Sequence, residues 1–142
     1  MKFKDISKDK NSTYTLKENE EVVFFMLNKS GEVTFNLTGE NTAAHIFALT
    51  IGENNAFDLT LHQEHSAPSS LSHVKTYSVV GDHAEAHYRG RILIEEEATG
   101  SIATQESRAI LLGKDAKHSA IPSLEILPRD VTCHHKASAA PV

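Results

Sequence analysis

The stretch RDVTCHHKAS, residues 129–138, places Cys133, the only cysteine of the 142-residue chain, directly before His134 and His135. A thiolate and an imidazole together suit zinc or an iron–sulfur species. In a strand, side chains alternate, so Val131, Cys133, His135 and Ala137 share one face. Thr132, His134, Lys136 and Ser138 share the other. The run is therefore not one three-ligand cluster: Cys133 and His135 converge, and His134 points away beside Lys136 on a solvated face. Two ligands are not four, so a metal site here needs groups from adjacent strands or from a second subunit. A two-fold contact would double the pair. The competing reading makes Cys133 a small buried hydrophobe beside Val131.

A second candidate is HQEHS, residues 62–66. Alternation puts His62 and Glu64 on one face, Gln63 and His65 on the other. His62 and His65 share a face only in a helix or a turn, so they form a weaker metal candidate than Cys133 and His135, and a polar strand end is the simpler reading. The chain has nine histidines and no tryptophan; His73 and His87 stand alone. A cupin-like metal enzyme needs histidines two apart on one strand and a downstream glutamate, which HQEH does not supply. A nucleophilic enzyme built on Cys133 needs a low-pKa thiolate and an oxyanion-forming turn; no Gly-rich turn adjoins it. No phosphate loop or dinucleotide fingerprint is present. Enzyme activity is not expected.

The net charge is −5, with no basic stripe, which argues against nucleic acid. One cysteine cannot form an internal disulfide and fits a reducing compartment. MKFKDISKDKNSTYTL lacks the apolar core of a signal peptide. VVFFML, residues 22–27, is far too short to span a bilayer. These features predict a cytoplasmic protein without membrane association.

The elements that must hold these residues read as strands. EVTFNL puts Val33, Phe35 and Leu37 on one face, and AFDLTL does the same with Phe57, Leu59 and Leu61. HYRGRILI and AILL continue the pattern. PSLEILP reads as a brief strand with proline at both limits. No stretch of ten residues has a helical period. Acidic turns recur at Asp82, Glu97, Asp115 and Asp130, in steps of 15, 18 and 15 residues. Each opens a small-residue strand and then an apolar one. Such a unit cannot bury its apolar edge alone, but stacked copies share a continuous core. The pattern fits a solenoid of short strands, or an antiparallel sandwich with evenly spaced hairpins. Residues 1–142 read as one domain, with residues 1–12 as a flexible or capping segment.

The segment Tyr88 to Ser138 resembles the core of the SufB and SufD proteins, scaffold components of the SUF machinery for iron–sulfur cluster assembly. The resemblance rests on Tyr88-x-Gly90 before an apolar strand, Leu111-Leu112-Gly113, Pro122-x-Leu124-Glu125-Ile126, and the closing Val131-x-Cys133-x-His135-x-Ala137-Ser138. It extends upstream to about Leu61. It implies an all-β fold, a single-stranded right-handed parallel β-helix, and so favours the solenoid over the sandwich. It also implies a scaffold or accessory role in a multi-subunit complex, with iron or an iron–sulfur cluster bound transiently at Cys133 and His135. The implied partner is a second copy or a SufB/SufD-like paralogue, paired through the β-helix. A SufC-like ABC ATPase is a further implied partner, although the helical region on which it docks in the family is not among these residues. Ser107 stands where SufB-type members carry a cysteine, and Lys136 where they carry glutamate. The Cys-x-His form matches SufD. A purely structural, oligomerising β-helix without metal is the alternative.

Overall fold

The computed structural model describes residues 1–142. Eleven strands follow one another without a helix: β1 Lys2–Asp5, β2 Thr13–Leu16, β3 Glu21–Leu27, β4 Gly31–Leu37, β5 Ala43–Gly52, β6 Ala56–His65, β7 Leu71–Val80, β8 Glu85–Ile94, β9 Ile102–Leu111, β10 Lys117–Ile126 and β11 Thr132–Pro141. Odd strands form a six-stranded sheet and even strands a five-stranded one. Every ladder is parallel. The chain therefore crosses between two facing sheets at each corner and stacks every second strand on its predecessor. This is the parallel β-helix. The sandwich is excluded, and so is the antiparallel jelly roll of a cupin.

The coil forms because period-2 alternation leaves one face of each strand apolar, and only the facing sheet can cover it. Val33, Phe35 and Leu37 point inward and are fully buried, as are Val22, Phe24 and Met26 of the opposite sheet. The narrow N-terminal end is filled by aromatic rings: Phe24 lies 4.9 Å from Phe35 and 5.3 Å from Tyr14, centroid to centroid. Ile6 closes this end, 1% exposed. Residues 1–12 contribute β1 and the buried side chain of Ile6. Lys29 Nζ donates to the Ile6 and Asp9 carbonyls, and the Tyr14 hydroxyl donates to Asp9. The inward-facing positions of β1 are Lys2 and Lys4, which pair with Val22 and Phe24. Both lysines are exposed, and Lys2 Nζ lies 3.5 Å from a Glu20 carboxylate oxygen.

The acidic turns mark corners at half-turn intervals. Asp82 and Asp115 lie on one edge of the coil, after β7 and β9, while Glu97 and Asp130 lie on the other, after β8 and β10. A full turn takes about twice the repeat: Leu71 pairs with Ile102 and Glu85 with Lys117. Asn41 takes φ 57° at the corner that GEN opens, a conformation asparagine tolerates. Gly39 beside it is obligatory, because a Cβ would collide with the backbone of Glu18 in the corner below.

One strand differs from expectation. Pro122 does not bound a brief strand but sits mid-way along β10. Lys117 and Leu127 donate to Ala84 and Ile94 of the neighbouring turn. Odd-numbered residues of β10 therefore bond inward along the sheet and even-numbered ones face its open edge. Proline costs nothing at such an edge position.

Candidate functional site at the terminal turn

The inward-facing side chains of the six-stranded sheet form columns, one residue per turn. One column runs Lys2, Val22, Ala44, Ser72, Ala103, Cys133; the next runs Lys4, Phe24, Ile46, Val74, Gln105, His135. Cys133 and His135 are thus the last members of the two columns that Lys2 and Lys4 begin. The two ends are unlike. At the first, short charged strands surround a plugged core. At the last, ten-residue strands β10 and β11 present open edges, and inward-facing Leu124 and Ile126 remain 41% and 39% exposed.

Cys133 is half-buried and packs against the cluster of Ile92, Ile94, Ala98 and Ala103, with Val131 beside it. Burial pushes its thiol above the usual range, so at neutral pH the sulfur carries its proton. His135 is exposed and borders a small cleft with Tyr88, Gln105 and Ser107. His134 faces outward, in the column of His45, His73 and Thr104. The predicted split of the CHH run is therefore what the register places: Cys133 and His135 inward, His134 outward.

His62 and His65 do not converge. His62 faces outward, 3.8 Å from Glu32. His65 is fully buried, held between Ser70 Oγ at 2.7 Å and Ser72 Oγ at 2.6 Å. Burial lowers its pKa to about 4, so it is neutral and structural. His73 meets the Thr104 hydroxyl, and His87 lies 2.6 Å from Ser119 Oγ. The one set of three ligand groups within 4.8 Å of each other is Asp82, His83 and Asp115, all exposed at stacked corners.

A polar interior surrounds His65. Gln63 Nε2 donates to Ser72 Oγ at 2.6 Å, Ser70 and Ser101 hydroxyls lie 2.9 Å apart, and Thr76 donates to Ser107 at 2.8 Å. Gln63 Oε1, Tyr88 OH and Gln105 Nε2 are buried without a partner. Nothing in the apolar alternation signals this interior. Its trace in the sequence is Gln63, His65, Ser72 and Gln105 standing at inward positions where earlier turns have Phe35, Leu37, Ala44 and Ile46.

Residues 9–142 match the family model described as SUF system FeS cluster assembly, SufBD core domain. The chain belongs to the SufBD family. Among curated SufBD proteins it is 31% identical over 112 residues to the iron–sulfur cluster assembly protein SufD of Bacillus subtilis, covering 78% of this chain and 26% of that protein. To SufD of Escherichia coli it is 29% identical over 103 residues, 72% of this chain and 24% of that one. An iron–sulfur cluster assembly SufBD family protein of Mycobacterium tuberculosis strain H37Rv is 26% identical over 107 residues, 75% of this chain and 13% of that one. The chain spans about a quarter or less of the curated SufBD relatives it matches.

Proposed function

We propose that this chain is a SufBD-type scaffold in iron–sulfur cluster assembly, acting at the open end of its β-helix. The observation that carries this is the end of the two inward columns in Cys133 and His135 on an uncovered turn, within a chain whose family is that of SUF cluster assembly. A second copy, or a SufB/SufD-like paralogue, pairs through the edges of β10 and β11. Thr132 and Val142 donate to β9 and its flank, which leaves the backbone groups of Cys133, His135, Ala137 and Ala139 facing the open edge. Pairing there brings two Cys–His pairs together and supplies the four ligands that one chain lacks. The cluster or iron is cargo: it displaces the thiol proton when it binds, which makes loading pH-dependent. The role is that of scaffold, without catalysis by this chain, in the cytoplasm. No helix is long and apolar enough to cross a membrane.

The test is anaerobic reconstitution with ferrous iron and sulfide, read as iron and acid-labile sulfide per chain and as visible absorption. The wild type takes up both, and Cys133→Ser with His135→Ala loses them while its far-UV circular dichroism is unchanged. Equal uptake by the double variant refutes the assignment of these two residues. No uptake by either protein refutes the scaffold reading.

A further inference from the structure

Three polar atoms are buried without a partner, and two of them belong to residues that meet at one place. Tyr88, with its hydroxyl, and Gln105, with its Nε2, both border the small cleft below His135. Tyr88 is 6% exposed and Gln105 4%. The register explains how they meet. Gln105 stands directly beneath His135 in its inward column, and Ser107 beneath Ala137. Tyr88 comes from the facing sheet, beneath Ala120. Gly90 has no Cβ, and the Gln105 amide and the Tyr88 hydroxyl crowd the space that one would fill. Only alanines stand above Tyr88 and Ser107, so this polar floor lies one turn below the uncovered end of the coil.

Both orphans are donors. Tyr88 offers an O–H, and Gln105 Nε2 offers two N–H groups. Ser107 Oγ, also buried, accepts from Thr76 at 2.8 Å, which leaves its own hydrogen free to give. No carboxylate lines the cleft. Unpaired donors in a closed interior weaken the free chain, and each calls for an acceptor from outside it. A bare cation is the wrong occupant, because it repels the positive ends of these groups. A water molecule brings two further hydrogens that need acceptors of their own. A bridging sulfide only accepts. We infer that Tyr88 and Gln105, with Ser107 beside them, donate hydrogen bonds to a sulfide sulfur of the cargo, so that the site selects sulfide-bearing iron over bare ferrous iron. This rests on the scaffold role proposed above for Cys133 and His135. The cleft is about 10 Å³, room for one ligand atom and not for a whole cluster. One sulfide corner therefore enters it, while the iron stays with His135 and Cys133 at the mouth. Hydrogen bonds to the sulfurs are among the levers by which proteins set the potential of such clusters.

The test compares wild type, Tyr88→Phe and Gln105→Leu, each loaded anaerobically with ferrous iron alone or with ferrous iron and sodium sulfide. Loss of iron to a ferrous chelator is then timed. Both variants are expected to lose sulfide-loaded iron about 10-fold faster than the wild type, and bare ferrous iron at the wild-type rate. Their urea midpoints are expected to stay level or rise, because each substitution removes an unpaired polar group. A merely structural role gives no such split. The midpoint potential of the loaded variants is expected to fall, since a hydrogen bond to sulfur favours the reduced cluster. A second measurement needs no variant and stands if the variants fail to fold. Transfer of the loaded wild type into deuterium oxide is expected to shift the bridging iron–sulfur stretches of its resonance Raman spectrum. Variants that hold sulfide-loaded iron as long as the wild type overturn the inference and leave the scaffold role standing. So does an equal acceleration for bare ferrous iron, and so does a wild type without a deuterium shift. A wild type that takes up no iron in the presence of sulfide overturns both.

Discussion

Lowering the pH from 7 to 4.5 should destabilise this protein through His65 more than through any exposed histidine. His65 is fully buried between two serine hydroxyls, and its pKa falls from about 6.5 in the unfolded chain to about 4 through burial. Between those values the unfolded state binds a proton that the folded state refuses. Stability is therefore full above pH 6.5, falls as the pH drops toward 4, and changes no further from this group below that. At pH 4.5 the loss is roughly 2.5 kcal/mol. With a urea dependence of about 2 kcal/mol per molar, the unfolding midpoint moves down by about 1.2 M. His73 and His118 are also shifted down by burial, but they act in every variant and cancel in a difference. The assay is urea unfolding of wild type and His65→Gln at both pH values. The variant is expected to be weaker at pH 7, by about 1–3 kcal/mol for imperfectly paired serines, yet to lose less on acidification. An equal pH-dependent loss in both proteins would refute the buried, neutral state assigned to His65.

Three further outcomes follow from packing and burial. Gly90→Ala should cost about 1–3 kcal/mol in urea unfolding, because a Cβ there collides with Gln105 Oε1 and the Tyr88 hydroxyl in the closed interior. Phe35→Ala, at a fully buried ring in contact with Phe24 and Tyr14, should cost about 3–5 kcal/mol and lower the thermal midpoint. Cys133 should react with iodoacetamide more slowly at pH 7.5 than a free cysteine peptide, since burial holds its thiol protonated; a rate matching the peptide would show an accessible thiolate.

Alternation was the most legible signal. Val33, Phe35 and Leu37 face the core because a period of two can bury only one face. The same logic separated His134 from Cys133 and His135, and His62 from His65. The spacing of acidic corners was visible too, but its meaning was not. Each step of about 15 residues is half a coil, holding one long strand such as β8, where the sequence suggested a small-residue strand followed by an apolar one. Pro122 misled because a sequence does not say which strand lies at an edge. The polar interior around His65 was hidden for a related reason: Ser70 and Ser72 reach it from the start of the next strand, and Ser101, bonded to Ser70, comes from one turn further along the coil. The Asp82, His83 and Asp115 cluster likewise depends on corners 33 residues apart coming together. Register decides such contacts, and period alone does not fix register.

In the proposed role, this chain holds an iron–sulfur cluster as cargo at Cys133 and His135 and gives it up. Its most direct test is transfer from the loaded, desalted protein to an apo-ferredoxin in the presence of a ferrous chelator, followed by the acceptor's visible absorption. The wild type is expected to rebuild the acceptor's cluster, and Cys133→Ser with His135→Ala is not. Transfer no greater from the wild type than from chelated free iron and sulfide would contradict it.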